Sequence, residues 1–325
     1  MIYTIFISII SSVITLIAIR YLSKSYKNLL GVSNSNYKTS KVHLPMVRGI
    51  GIIFPIILVL SDLVIGSIFT FVELIVITTS TLIGFWDDKF NLNYKIKLLL
   101  FFFISSIFSF YTCHNEVVES FNFLSFFLNL FIFIFLILFF NQIDGINGLA
   151  STTFLIVLLF LFLTGMNLIL YLPIIFSICI YLFINMKGNV GIQGDAGSFF
   201  MGSFSSIVII NSLDYIQYGL ILFVISPIVF DICSTTIIRF FYGINLSIGH
   251  RNNLYQRLVA KFQNHYLVTI IFSLLQIIFC FLLVIMLNEL TFLEIYTWLF
   301  FVGVILTILF CCLAYLIQNK KILHD

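Results

Sequence analysis

Charge is what this chain has least of. Only 9% of its 325 residues are Asp, Glu, Lys or Arg, while 61% are hydrophobic. Soluble domains carry roughly 25% charged residues, so a soluble globular core is excluded. Proline is scarce too, with four in the chain, and little interrupts long helices. Six cysteines (Cys113, Cys179, Cys233, Cys280, Cys311, Cys312) lie in or at the ends of apolar runs without metal-site spacing. They read as small apolar side chains. No internal repeat, long linker or soluble domain divides the sequence. The first apolar run lacks a basic leader and a small-residue cleavage site, so it is expected to stay as a helix. The net charge of +3 gives no reason to expect nucleic acid as a partner.

What is abundant is apolar length. Crossing a hydrocarbon core of about 30 Å takes ~20 apolar residues in a helix. Runs at 2–19, 49–66, 68–86, 96–113, 123–140, 149–165, 168–184, 199–213, 217–237, 267–287 and 293–317 answer that need. They are continuous rather than alternating, which predicts helices and not barrel strands. The expected fold is all-α and polytopic, a single integral-membrane domain over 1–325 with about eleven transmembrane helices. Run 199–213 is short and rich in Ser and Gly; without it the count is ten. Basic residues mark the cytoplasmic side. With the N-terminus outside, all sixteen Lys and Arg fall inside, and the outer loops hold Asp62, Glu116, Glu119, Asp214, Glu289 and Glu294. The C-terminus is then cytoplasmic.

The same topology gathers the polar motifs on one membrane face. Asp87 and Asp88 end an apolar run ahead of Lys95 and Lys97. Adjacent carboxylates repel, so one of them needs a cation or a raised pKa, and an acid pair at a helix C-terminus opposes the dipole. Asn141, Asp144, Gly145, Asn147 and Gly148 make a polar break, which a plain interhelical turn would also explain. Asn185–Ser198 contains four glycines around Asp195. That composition suits a loop whose amides face phosphate, with Asp195 on Mg²⁺ or Mn²⁺ rather than zinc. His250, Arg251, Gln256 and Arg257 fall on one side of a short helix suited to phosphate. Asp231, inside run 217–237, is expected to form a structural pair, with Arg239 two turns away. Glu73 reads as interfacial, and Lys41 and Arg48 as the basic entry to the second helix.

Five motifs in this order and spacing resemble the polyprenyl-phosphate N-acetylhexosamine-1-phosphate transferases. They are PMVRGIG (45–51), DDKFNLNYKIKL (87–98), NQIDGINGLA (141–150), GDAGSFFMG (194–202) and HRNNLYQRL (250–258). The last loop most resembles the O-antigen-initiating branch, related to the phospho-MurNAc-pentapeptide transferases. The resemblance implies transfer of a sugar-1-phosphate from a UDP-N-acetylhexosamine-type donor to undecaprenyl phosphate at the cytoplasmic face of a bacterial inner membrane, with release of UMP. It implies catalytic roles for Asp87, Asp88 and His250 and a Mg²⁺ site at Asp195 and Asp87. Substrate contacts fall to Lys41, Arg48, Lys97, Asn141, Asp144, Asn185, Arg251, Gln256 and Arg257. It also allows a homodimer in the lipid bilayer. The chain departs from the family pattern in three places. Asn253 stands where a second His is usual, Ile192-Gln193 replaces an aromatic-Met pair, and Lys187-Gly188-Asn189 replaces a common Pro-Ala. The rival reading is a transporter with a cytoplasmic acidic gate, which expects mid-membrane charges and repeated halves.

Overall fold

The computed structural model describes residues 2–25, 32–33, 46–66, 68–115, 122–187, 191–214, 217–244 and 252–317. These fall into two compact units. The first unit runs through Asp144 and takes in Gly165–Tyr218; the second holds Gly145–Thr164 and the chain from Gly219 onward.

Helices of the first unit are α1 (Ile2–Ser25), α2 (Ile53–Ile65), α3 (Phe71–Phe90), α4 (Tyr94–Asn115), α5 (Phe123–Ile143), α7 (Leu172–Met186) and α8 (Gly194–Ser212). A two-residue ladder joins β1 (Val32–Ser33) to β2 (Met46–Val47), with Val32 opposite Val47. The centre of the unit is α8. Every residue from Gly194 to Ile209 is buried, with α3 and α5 packed against it. Phe101, Phe54 and Phe69 set their rings against Phe199, Phe200 and Phe204 at centroid distances of 4.7, 5.5 and 5.6 Å. Each such pair contributes about 0.5–1.5 kcal/mol beyond area burial.

Small residues let the backbones approach, as they do between helices in a bilayer. A Cβ on Gly84 would lie 2.3 Å from the Asp195 carbonyl oxygen, and one on Gly202 would lie 2.5 Å from the Ile137 Cα. At the other end of α3, Thr70 and Glu73 close a capping box, and Asn211 Nδ2 donates to Glu73 Oε1 at 2.6 Å. So α3 and α8 run antiparallel, and Glu73 is a buried tie between them rather than an interfacial acid. Asp62 Oδ1 accepts the Ile68 and Phe69 amides and fixes the turn from α2 to α3.

The second unit contains α6 (Leu149–Leu163), most of α9 (Tyr218–Val224), α10 (Ser226–Phe241), α11 (Leu254–Phe262), α12 (His265–Glu289) and α13 (Phe292–Ile317). A polar seam joins α6 to α12: Ser273 Oγ donates to Thr152 Oγ1 at 3.0 Å and Thr153 Oγ1 to Gln276 Oε1 at 3.1 Å. Run 217–237, expected as one span, is built from α9 and α10, bent by 83° at Ile225. Pro227 lies in the first turn of α10, where its missing N–H costs nothing.

Every predicted span falls on a helix, and the protein is all-α and polytopic. By length and composition alone, five described helices are long and apolar enough to cross a membrane, and the bent pair makes a sixth. Others fall short for physical reasons. Helix α3 carries Glu73, Asp87 and Asp88, α8 is rich in Ser and Gly, and Leu149–Leu163 is short.

Candidate active site

Two adjacent carboxylates at the end of α3 meet the start of α8, and they do so differently. Asp88 turns toward α8: its Oδ1 accepts the Asp195 amide at 3.0 Å and its Oδ2 the Ala196 amide at 3.1 Å. The carboxylate therefore caps the N-terminus of α8, where the dipole favours negative charge. Gly194 makes this approach feasible. Its φ is +72°, and a Cβ there would lie 2.2 Å from Asp88 Oδ2. Asp87 serves the turn into α4, where its Oδ1 accepts the Leu92 amide at 2.7 Å and its Oδ2 receives Lys97 Nζ at 2.6 Å.

Asp195, on the first turn of α8, closes the cluster. Arg48 lies 3.3 Å from Asp88 Oδ1 and 3.5 Å from Asp195 Oδ1, and Lys97 lies 3.9 Å from Asp195 Oδ2. Asp195 also faces Asp87 electrostatically. The two acids at this end of α3 stand just beyond the apolar run 68–86, and both are shifted. Burial pushes the Asp87 carboxyl up to about 6, with Asp195 adding to it and Lys97 opposing. Burial, then the Asp195 charge, pushes Asp88 up to about 7 against Arg48 and the two amides. Three carboxylates thus share two cations, and the cluster keeps room for more positive charge.

Arg48 reaches this cluster because the strand and turn before α2 lie along residues 191–197. The Ile192 amide donates to the Val47 carbonyl at 2.9 Å and the Gly51 amide to the Gln193 carbonyl at 3.0 Å. Gly49 adopts φ +87°, and a Cβ on Gly51 would lie 2.2 Å from the Gly197 Cα. Gln193 is the hub of the next layer. Its amide donates to the Tyr181 hydroxyl oxygen at 2.8 Å, and its Nε2 donates to Asp144 Oδ1 at 2.9 Å. Tyr181 is hydrogen-bonded to Asn185 in turn. Asn141 Nδ2 donates to Ser198 Oγ at 3.4 Å. Arg48, Asp87, Asp88, Lys97, Asn141, Asp144, Asn185 and Asp195 therefore converge around the start of α8.

The glycine-rich stretch departs from its expected form. Gly194 and Gly197 belong to α8 and not to a phosphate-facing loop, and the Asp195 and Ala196 amides are occupied by Asp88. Residues 188–190 lie outside the described residues, as do Lys41, His250 and Arg251.

A second cluster belongs to the second unit. Asp231 Oδ1 accepts the Leu254 amide at 2.6 Å and Oδ2 the Tyr255 amide at 3.0 Å, and Arg257 faces it electrostatically. The expected partner, Arg239, is replaced by the N-terminus of α11, whose amides demand an acceptor. Asn253, in the place of a family His, is the N-cap of α11. Its amide is accepted by Gln256 Oε1 at 3.4 Å and its Nδ2 donates to the Tyr255 hydroxyl at 3.0 Å. Gln256 Nε2 packs over Gly145, where a Cβ would come within 2.7 Å. The Asn147 amide donates to His265 Nδ1 at 3.3 Å. The turn that begins at Gly145 and α11 thus meet through Gly145 and Gln256.

Sequence reasoning missed Tyr181 and Gly84, and singled out Gln193 only as a departure from the family pattern. A glycine one turn before Asp88, in GFWDD, was the available signal for Gly84. For Gln193 the signal was its polarity where the family pattern is apolar.

The fold defines a helical membrane protein, with a buried cluster of three carboxylates and two cations where α3 meets α8. Residues 70–213 match the family model of Glycosyl transferase family 4. This stretch contains Asp87, Asp88, Lys97, Asn141, Asp144, Asn185 and Asp195, and the match supports a membrane sugar-phosphate transferase kind of function. Among curated proteins, none matches the chain.

Proposed function

We propose that this protein transfers a sugar-1-phosphate from a UDP-N-acetylhexosamine, or a deoxy form of one, to undecaprenyl phosphate at the cytoplasmic face of a bacterial membrane. The product starts a cell-surface polysaccharide, as in O-antigen synthesis. The observation that supports this most is the buried cluster of Asp87, Asp88 and Asp195 with Lys97 and Arg48 between them, inside the stretch that matches a glycosyl transferase family.

The donor set fits Mg²⁺, with Mn²⁺ as its substitute. Among the described residues, no three His, Cys, Asp or Glu side chains group as a full metal cage. Two carboxylate ligands with substrate phosphates and water completing the shell are the usual Mg²⁺ arrangement. Asp195 and Asp87 would hold it, and bound there it would supply charge neutralisation for the donor diphosphate.

The chain's own residues account for the rest. The lipid phosphate oxygen attacks the sugar-bearing phosphorus, the bond to the uridine-bearing phosphate breaks, and UMP leaves. Asp87 is assigned to keep the lipid phosphate deprotonated, taking its proton before the cation binds. Asp88 is occupied by two amides and Arg48, and its part is to hold α8 and Asp195 in place. Lys97 and Arg48 meet phosphate oxygens, and Asn141, Asp144 and Asn185 hold the nucleoside side of the donor. Incubating the purified protein with Mg²⁺, undecaprenyl phosphate and a panel of UDP-GlcNAc, UDP-GalNAc and their 6-deoxy forms should release UMP and form a lipid-linked diphosphosugar from at least one donor. Absence of lipid-dependent UMP release across the panel would refute the reading.

A further inference from the structure

Gln193 stands out because it is a buried polar side chain at a position where the family pattern is apolar. It is 1% exposed. Its backbone and side chain make bonds in three directions. The amide donates to Tyr181 Oη at 2.8 Å, the carbonyl accepts the Gly51 amide at 3.0 Å, and Nε2 donates to Asp144 Oδ1 at 2.9 Å. Tyr181, 2% exposed, is hydrogen-bonded to Asn185. A continuous path therefore runs from Asn185 through Tyr181 and Gln193 to Asp144. Its two ends are polar groups assigned to the nucleoside side of the donor, and its middle is locked by the packing of Gly51 on Gly197.

An aspartate that closes an interhelical turn has a carboxylate free to rotate about two bonds, and a hydrogen bond to a buried amide restricts it to one orientation. Such bonds to a charged group are among the stronger ones. Arg48 and Tyr181 also face Asp144 electrostatically, and Gln193 Nε2 fixes its Oδ1 by a direct bond. We propose that Gln193 is a positioning residue for donor binding, acting through Asp144. This inference rests on the transferase reading above, since it takes Asp144 as a donor contact. Gln193 does not meet the reacting atoms, so its loss should weaken donor binding more than it slows the chemical step.

The test uses the full-length protein in detergent, measuring donor KM and kcat separately with the active UDP-sugar. Gln193→Met keeps the volume and removes the bond, and it should raise donor KM about tenfold or more while kcat falls less than about threefold. Repeating the substitution in an Asp144→Asn background should raise KM by less than about twofold, because the two act through one contact. Should Gln193→Met fail to fold by thermal melting, Gln193→Asn takes its place; its amide is one methylene too short to reach Asp144, and the same KM shift is expected. An unchanged KM in a folded variant, a loss confined to kcat, or effects that add fully with Asp144→Asn would overturn the inference and leave the transferase reading standing. A wild-type protein inactive with every donor would instead remove the transferase reading, and this inference with it.

Discussion

Asp87 and Asp88 are neighbours in sequence, yet one faces Lys97 and Asp195 while the other caps α8. Both have pKa values raised from an ordinary 3.8, to about 6 and about 7, with burial as the first cause. The sign of the consequence follows from proton binding. A folded state that holds its protons to higher pH than the unfolded chain is stabilised at low pH, and that stabilisation is lost as pH rises through the folded pKa values. Metal-free protein should therefore melt at progressively lower temperature as pH is raised from about 4 to about 7. Adding Mg²⁺ should restore stability at pH 7.5 and change little at pH 4, where the carboxyls are protonated. A melting temperature that rises over this range in the metal-free protein would contradict the assignment. From sequence alone, an acid pair needs a cation or a shifted pKa. Which acid does what is not legible there, because that depends on α8, more than a hundred residues away.

At the scale of elements, the positions of the helices are legible from apolar runs, because length and continuity are local properties. Three features are not. The start of α8 at Gly194 reads as a loop, since GDAGS has the composition of a loop and becomes helical only with Asp88 as its cap. The bend between α9 and α10 comes at Ile225, just before Pro227, inside a run whose hydropathy is uninterrupted. The capping of α11 by Asp231 pairs residues 23 and 24 apart, whereas spacing along one helix suggests Arg239. The close contact of α3 and α8 gives a direct test. A methyl on Gly84 would lie 2.3 Å from backbone, and overpacking of this kind costs typically about 1–3 kcal/mol. Gly84→Ala should lower the melting temperature and displace Asp195 from Asp87, so transfer activity should fall with it. Leu138→Ala, on a half-exposed position of α5, should leave melting and activity close to wild type. Equal melting temperatures for the two variants would show that the α3–α8 contact is looser than described.

At the scale of the whole molecule, orientation is the expectation that connects the helices to the proposed reaction. Every Lys and Arg is assigned to the cytoplasmic side by the positive-inside rule. Single cysteines placed at the exposed positions Asn93 and Lys261 should label only from the cytoplasm, and one at Asp214 only from outside. Labelling of the Asn93 position from outside intact cells would reverse the orientation and remove the cytoplasmic donor with it. The central claim is narrower: the Asp87–Asp195 pair, with a divalent cation, carries sugar-1-phosphate transfer. The measurement that reaches it most directly is UMP release by wild type and Asp195→Asn over a range of Mg²⁺ concentrations. Asparagine keeps the size of the side chain and removes the ligand charge, so turnover should fall by at least ~10² and no Mg²⁺ concentration should recover it. Near-normal turnover in Asp195→Asn, with unchanged Mg²⁺ dependence, would contradict the account.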